Sequence, residues 1–450
     1  MLLLAIGVAT CLAGGMAAPE RQHVFLDPTA QLSQWIERQA QVAQQRIVGN
    51  IAPFANDPFA LAGAVCASPS RWKPDYYYTW TRDAALTMRE IVEWLTTDTH
   101  NTTQARHLEQ MVDDYVQFTR HLQQTHTAYG LGEAKFHMDG TAFTGSWCNA
   151  QPDGPAARAL ALVEYARYKQ GTNRDAAPLM QLIRTDLDYV ARVWHENKHC
   201  DIWEESRGLH FYTLAMQRHA LQQGAQLLLG SQDDVVAATY TEAALSIDMQ
   251  LQRFWDARKG YIVATLEKSG GIQSKTSNLD AQVVLAALYG DTEAAGLGIA
   301  SRHMMATVSA LVRRFEPLYT VNRVSATDIG GAVVPIGAAV GRYPEDVYDG
   351  VGTSRGNPWS LVTSALAEYH YRLALLYARE AGDMGRYLLA TGDLYMARVA
   401  RHTAADGTMY EQWTARTGFG CGAVDLTWSY VAHTSAARTR AQLIAALNTR

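Results

Sequence analysis

The sequence predicts an all-α protein in which about twelve helices form one closed toroid of two concentric layers. Segments 103–124 and 176–196 carry apolar side chains at helical spacing along one face and polar side chains elsewhere. Segments 156–168 and 359–378 are small or apolar on nearly every face, which is typical of a helix buried on all sides. No Pro/Gly/Ser-rich linker interrupts the chain. The 450 residues therefore favour one ring over the roughly three domains that length alone suggests.

Along the chain, amphipathic helices with one polar face tend to alternate with helices that are apolar on every face. An outer layer of helices around an inner layer would require this alternation. We expect helices near residues 29–49, 80–97, 103–124, 155–170, 176–197, 209–229, 233–255, 278–289, 298–315, 358–381, 385–402 and 425–447. Asp153-Gly154-Pro155 and Asn357-Pro358 each place a capping side chain ahead of a proline suited to the first helical turn.

Polar and aromatic residues cluster just before every second predicted helix. The clusters are Tyr76–Asp83, Gly145–Pro155, Asp201–Gly208, Lys275–Asn278, Tyr343–Pro358 and Met409–Trp428. In an alternating toroid these positions share one end of the inner ring, so their loops should converge on a single pocket.

Composition excludes several functional classes. The chain is 48% hydrophobic and 18% charged, which is too apolar for a disordered protein. Its net charge of −5 argues against a surface built to bind nucleic acid, and the body contains no apolar run of membrane-spanning length. The sequence contains no CxxC motif or Cys/His cluster that would suggest a zinc site. The 22 Tyr and 11 Trp suit sugars or bases as well as a core.

The N-terminal residues 1–17 have the pattern of a signal peptide, apolar and ending in the small-x-small run Gly15-Met16-Ala17. We therefore expect a protein that is secreted or held in the secretory pathway or vacuole. Removing this segment removes Cys11 and leaves Cys66, Cys148, Cys200 and Cys421. Four cysteines fit one or two disulfides, with three pairings open. Asn101-Thr102-Thr103 is a glycosylation sequon.

Three segments carry residues suited to chemistry. In Asp201–Glu205, one of the two adjacent glutamates beside Trp203 could be desolvated and remain protonated as an acid while the other stays charged. Met409–Trp413 places a second glutamate among aromatic residues, and two carboxylates facing across a pocket suit hydrolysis of a glycosidic bond. Tyr76–Asp83 offers flat faces for sugar rings beside an Arg/Asp pair. Each segment, taken alone, is also compatible with an ordinary loop or core segment.

Seven motifs in order resemble glycoside hydrolase family 15, the glucoamylases, and in particular their secreted fungal type. They are DYYYTWTRD (75–83), DGTAFTGSWCNAQPDGPAAR (139–158), DIWEE (201–205), RYPEDVY (342–348), GNPW (356–359), MYEQ (409–412) and DLTWSY (425–430). The resemblance runs from about residue 30 to near the end of the chain. It implies an (α/α)6 barrel, in agreement with the helix pattern.

The resemblance also implies roles for individual residues. It makes Glu204 the general acid and Glu411 the general base of an inverting reaction that releases β-D-glucose from the non-reducing ends of starch, glycogen or maltooligosaccharides. Inversion would place the two carboxyls roughly 6.5–9.5 Å apart, with a water between. The substrate-binding residues it implies are Tyr76, Trp80, Arg82, Asp83, Trp147, Asp153, Asp201, Trp203, Glu205 and Trp428.

Several further expectations and alternatives stay open at this point. The chain lacks the linker and starch-binding domain of some members, so residues 18–450 are expected to form a single catalytic domain, a monomer that needs no metal or cofactor. Segments 272–278 and 414–422 depart from the family pattern, which leaves outer-subsite preference open. One alternative is a related exo-glucosidase that acts on isomaltose, dextran or trehalose. Another is a non-enzymatic carbohydrate-binding protein. A helical repeat protein would show a constant repeat, and none is present.

Overall fold

The computed structural model describes residues 27–54, 56–97, 102–229, 233–378 and 382–449. Within these ranges it contains twelve α-helices. They are α1 (Pro28–Gly49), α2 (Thr81–Thr97), α3 (Thr102–Gln124), α4 (Asp153–Gly171), α5 (Ala177–Val193), α6 (Phe211–Leu228), α7 (Asp234–Gln252), α8 (Gln282–Tyr289), α9 (Arg302–Phe315), α10 (Ser360–Ala378), α11 (Gly382–His402) and α12 (Thr427–Asn448). Residues 1–17, with Cys11, and the sequon residue Asn101 lie outside the described residues.

The helices form two concentric rings. The even-numbered helices pack in sequence, α2 on α4 and so on to α12, and α12 packs back on α2, which closes the inner ring. Each odd-numbered helix packs from outside against at least one even-numbered neighbour, as α11 does on α10 and α1 on α12. The predicted (α/α)6 toroid is therefore confirmed.

Side-chain patterning explains the two layers. Every residue of α8 is buried, and α4 is buried continuously from Asp153 to Val163, so these helices contact neighbours on all sides. The outer helix α5 instead buries Leu179, Ile183 and Leu187 on one face and leaves Asp188 exposed. Hydrophobic burial around the whole inner ring makes a rigid scaffold for the loops at its ends.

Two predicted helix caps were wrong. Asp153 is the first residue of α4, and its side chain accepts a hydrogen bond from Arg82 instead of capping the helix. Asn357 lies before α10, where its side-chain amide donates to Gln412 and its Oδ1 accepts from the Ala415 backbone. Both polar side chains join loops from different parts of the chain, a use that local sequence does not reveal. The start of α9 also shifts to Arg302, because Ser301 caps the helix by accepting from the Met304 amide.

Short antiparallel strand pairs, which the sequence analysis did not predict, join the connecting loops. Among the described residues they are β1 (Thr79–Trp80) with β2 (Lys135–Phe136), β3 (Ser206–His210) with β6 (Thr265–Gly271), β4 (Trp255–Asp256) with β5 (Tyr261–Ile262), β7 (Ala326–Ile329) with β8 (Ala332–Pro335), and β9 (Gln412–Trp413) with β10 (Gly420–Cys421). Gly271 ends β6 at φ +86°, where a Cβ would lie 2.1 Å from the carbonyl oxygen of Glu205. This close approach brings β6 against the carboxylate-bearing loop before α6.

None of the helices in the described ranges combines the length and apolar character needed to cross a bilayer.

Candidate active site

The loops at one end of the inner ring enclose a pocket of about 440 Å³. Its lining residues are Ala67, Tyr76, Trp80, Arg82, Asp83, Ser146, Trp147, Cys148, Ile202, Trp203, Glu204, Glu205, Arg342, Tyr348, Trp359, Glu411, Leu426 and Trp428. Five of the six predicted clusters contribute to this lining. The sixth, Lys275–Asn278, lies behind it, where Lys275 supports the loop that carries Glu204.

Glu204 is held by two donors on a single oxygen. Its Oε1 accepts from the Trp80 indole at 2.6 Å and from the Gln151 amide at 3.1 Å. No hydrogen bond from the described residues reaches Oε2. A protonated Glu204 would therefore carry its proton on Oε2, since Oε1 is already an acceptor for two N–H groups. The backbone of Glu204 has φ +66°, a strained value for a residue with a Cβ, and such strain is often found at functional sites.

Glu411 is another carboxyl in the pocket lining and is fully buried. Burial raises the pKa of Glu411 to about 8, although the nearby Tyr76 hydroxyl and Arg342 guanidinium oppose the rise. Its Oε2 lies 3.4 Å from the Ala423 amide, while Oε1 has no hydrogen-bond partner among the described residues. Gly422 has φ +72°, and a Cβ there would lie 2.2 Å from Oε2, so only glycine leaves room for this carboxyl.

The Glu205 carboxyl accepts hydrogen bonds from different residues than the Glu204 carboxyl does. Its Oε1 accepts from Arg342 at 2.7 Å and its Oε2 from the Tyr343 hydroxyl at 2.7 Å. Burial raises the pKa of Glu205, and the Arg342 charge opposes the rise. Arg342 is itself fixed by a bidentate pair with Asp346, at 2.8 and 2.6 Å. The sequence analysis expected a raised pKa for one glutamate of this pair, and burial has that effect on Glu205.

A buried ion cluster supports the loop that carries Glu204. Lys275 Nζ lies 3.1 Å from Asp201 Oδ2 and 2.7 Å from Asp280 Oδ2. Burial alone would raise the pKa of Asp201, but Lys275 and the amides of Glu205 and Ser206 lower it to about 2. Asp280 also accepts from the indole of Trp203 at 2.9 Å. Asp201 is therefore a charged anchor buried behind the pocket lining.

Arg82 and Asp83, at the start of α2, present polar groups to the pocket. Arg82 Nη1 donates to Asp153 Oδ2 at 3.1 Å and to Gln151 Oε1 at 2.9 Å. Burial raises the pKa of Asp83 to about 6, opposed by the Arg82 charge. Arg82 Nε and Asp83 Oδ2 lie 3.4 Å apart as a buried ion pair, and neither atom makes a hydrogen bond with the described residues. Asp153 is fully buried and positions Arg82 from behind.

Aromatic rings make up much of the remaining surface. Trp203 lies between Trp359, at a ring distance of 5.5 Å, and Trp428, at 6.5 Å. The Tyr76 and Tyr348 hydroxyls are 3.0 Å apart. Such faces pack well against the apolar faces of sugar rings, while the carboxylates and Arg82 suit hydroxyl groups.

A disulfide joins two of the loops around the pocket. Cys148, directly after Trp147, is bonded to Cys200, directly before Asp201. This disulfide selects one of the pairings that the sequence left open. Cys66 and Cys421 are not disulfide-bonded in the described structure, and burial raises the pKa of both thiols.

Comparison with known proteins identifies the family. The model of glycosyl hydrolases family 15 matches residues 41–438. The chain belongs to glycosyl hydrolases family 15. Among curated relatives, it is 32% identical to glucoamylase 1 of Rhizopus oryzae over 94% of this chain and 74% of that protein. It is also 32% identical to a probable glucoamylase of Schizosaccharomyces pombe, over 93% of this chain and 94% of that one. The solved glucoamylase of Saccharomycopsis fibuligera superposes with a TM-score of 0.84 at 27% identity, over 94% and 98% of the two chains.

The family 15 motifs locate most of the pocket but not all of it. Of the predicted site residues, Asp153 and Asp201 are buried behind the lining, and the others line the pocket. Gln151, Arg342, Tyr348 and Trp359 were not predicted as site residues, although each lies in a motif or cluster noted in the sequence. Their roles depend on partners far along the chain, such as Glu204 for Gln151 and Glu205 for Arg342.

Proposed function

We propose that the protein is an exo-acting, inverting glucoamylase that releases β-D-glucose from the non-reducing ends of α-1,4-glucans. The observation that carries the proposal is the pair Glu204 and Glu411 in one pocket, each with one carboxyl oxygen that no described residue engages. Membership of family 15 and the glucoamylase relatives support the α-glucan substrate.

Glu204 is the proposed general acid. Because Trp80 and Gln151 hold Oε1, the proton resides on Oε2 and is donated to the glycosidic oxygen as the leaving sugar departs. The same two donors then stabilise the carboxylate that remains.

Glu411 is the proposed general base. A water hydrogen-bonded to its free Oε1 would be deprotonated as it attacks the anomeric carbon. A donor at Oε1 also favours the ionised carboxylate and so lowers the raised pKa of Glu411 toward a value suited to a base. Attack by water opposite the leaving group inverts the configuration and gives β-D-glucose.

The terminal glucose is proposed to lie between the charged side chains of Arg82 and Asp83, which line the pocket and suit its hydroxyls, and the rings of Trp203 and Trp428. Trp147 would then contact the first sugar of the leaving chain. Binding of a single terminal glucose in this pocket would account for exo action.

Glucose release from maltotriose tests the mechanism. We expect Glu204→Gln and Glu411→Gln each to lower kcat by about 10²–10⁴-fold, the range for a lost acid or base. The exposed Glu242, on the outer helix α7, supplies the matched control Glu242→Gln, which should leave kcat unchanged. Proton NMR should show the β anomer first. Retained activity in both variants, or α-glucose as the first product, would overturn the mechanism.

A substrate panel separates the related activities. Turnover of maltose and starch with negligible cleavage of trehalose supports the proposal, while a preference for isomaltose or trehalose would replace it with a related exo-glucosidase. A non-enzymatic binding protein would show no turnover at all, which the presence of both glutamates argues against.

We also propose that residues 1–17 direct the chain to the secretory pathway and that residues 18–450 form one catalytic domain. The Cys148–Cys200 disulfide supports an oxidising compartment. Sequencing the N-terminus of protein recovered from culture medium tests this, since an intact Met1 or retention inside the cell would contradict it.

A further inference from the structure

Lys135 is a buried lysine beside the pocket. It lies in β2, directly opposite Trp80 of β1, and is only 3% exposed. No hydrogen bond or ion pair from the described residues reaches its Nζ. Lysine is rarely buried without a partner, because removing its ammonium from water is costly. Some other interaction must therefore offset this cost.

Four aromatic rings surround the ammonium. Nζ lies 3.6 Å from the ring centre of Trp147, 4.0 Å from Phe143, 4.7 Å from Tyr78 and 4.8 Å from Trp80. All four distances are within the range of a cation–π interaction, which is stronger when the cation is desolvated. We call this set of rings around Lys135 the aromatic cage.

The aromatic cage is continuous with the reaction centre. Trp80 and Trp147 both line the pocket, and their rings are 6.3 Å apart. The other two members support them from behind, Tyr78 against Trp80 and Phe143 against Trp147. Trp80 in turn donates to Glu204.

We propose that Lys135 is a positioning residue of this active site, whose ammonium holds Trp80 and Trp147 together. It thereby fixes the acid Glu204 through Trp80 and the surface that meets the leaving sugar through Trp147. This inference rests on the proposed function, since it assigns Lys135 a part in leaving-group departure. A neutral side chain of similar size would fill the space but would not draw the rings together.

The charge of Lys135 has a second consequence at the same site. The titratable groups that face it are Glu204, Asp75 and Glu133, and His137 contacts two rings of the cage. Burial lowers the pKa of Lys135 to about 8, opposed by the three carboxylates. Below that pH the ammonium favours the negative charge that Glu204 acquires when it gives up its proton.

Two substrates with different leaving groups test the proposal. Maltose needs protonation of the leaving oxygen and contact of the leaving glucose with Trp147. Fluoride, the leaving group of α-D-glucosyl fluoride, is small and needs little protonation. We expect Lys135→Met to lower kcat/KM for maltose about 30-fold, a loss equivalent to one desolvated cation–π contact. On a logarithmic scale, kcat/KM for the fluoride should fall by less than half as much. Lys135→Arg should recover most of the maltose activity.

The matched control is Lys169→Met. Lys169 lies at the far end of α4, over the ring of Tyr165, so it tests loss of a cation–π lysine away from the pocket. If Lys135→Met folds poorly, Lys135→Gln serves in its place. Unchanged maltose turnover, or an equal loss on both substrates without rescue by arginine, would overturn the proposal. Absence of maltose turnover in the wild type would instead count against the proposed function.

Discussion

The indole nitrogen of Trp80 donates to Oε1 of Glu204 at 2.6 Å across 124 residues of sequence. Trp80 is the last residue of β1, and α2 begins at the next residue, so the donor is attached directly to the inner ring. Glu204 is in a loop with a strained backbone. A residue attached to the rigid inner ring therefore orients the Glu204 side chain, which is the arrangement expected for the proposed catalytic acid.

Replacing this donor should affect rate more than stability. Trp80→Phe keeps a ring in the aromatic cage but removes the N–H, and a hydrogen bond to a charged group contributes about 1.5–3 kcal/mol. We therefore expect kcat for maltotriose to fall by about 10–100-fold with little change in melting temperature. The exposed Trp72 provides the control Trp72→Phe, which should behave as wild type. An unchanged kcat in Trp80→Phe would show that Gln151 alone is sufficient to orient the acid.

The helical ring could be predicted from the sequence because its signal is local. A helix such as α8 is buried on all sides and reads as apolar on every face, whereas α5 shows a single stripe. Most predicted boundaries lie within a few residues of the observed ones. The largest shifts, of four residues, are at the end of α5 and at the starts of α8 and α9, where Ser301 caps α9.

The supporting residues of the site could not be predicted in the same way. Nothing in the local sequence distinguishes Lys135, because its four ring partners come from segments on both sides of it in the chain. The sequence predicted that the Lys275–Asn278 cluster would lie at the pocket. Lys275 lies behind the lining instead, because it pairs with the buried carboxylates of Asp201 and Asp280. The family motifs therefore identify residues that line the pocket more readily than the residues that hold those side chains in place.

Removing the buried cation should destabilise the protein. Lys275→Met leaves the carboxylates of Asp201 and Asp280 buried without their counter-charge, and breaking a buried pair in this way costs about 3–5 kcal/mol. We expect a clear fall in the denaturant midpoint together with loss of activity. Lys198→Met is the control, since Lys198 is exposed and its ion pair with Glu196 contributes at most about 1 kcal/mol. Equal stability of the two variants would contradict the role given to Lys275.

The Cys148–Cys200 disulfide should stabilise the pocket loops. It closes a loop with a sequence separation of 52, for which the chain-entropy model gives about 4 kcal/mol. Cys148→Ala combined with Cys200→Ala should therefore lower the free energy of unfolding by up to that amount. Dithiothreitol should destabilise the wild type in the same way and leave the double variant unchanged. Sensitivity of the double variant to reductant would mean that another cystine contributes.

The buried carboxyl of Glu411 should make stability depend on pH in a defined direction. The pKa of Glu411 is about 8 in the folded protein, against 4.5 in the unfolded chain. Below pH 4.5 both states are protonated and the group contributes no penalty. Between pH 4.5 and 8 the unfolded chain loses its proton while the folded protein keeps it, so the stability of the wild type falls across this range. Glu411→Gln is neutral throughout, and its melting temperature should therefore rise relative to wild type from pH 4 to pH 8 and stay level above that.

The exposed Glu242→Gln controls for the general effect of losing a carboxylate, and its difference from wild type should not vary with pH. A difference for Glu411→Gln that is flat or shrinks between pH 4 and pH 8 would show that this carboxyl is ionised in the folded protein at low pH.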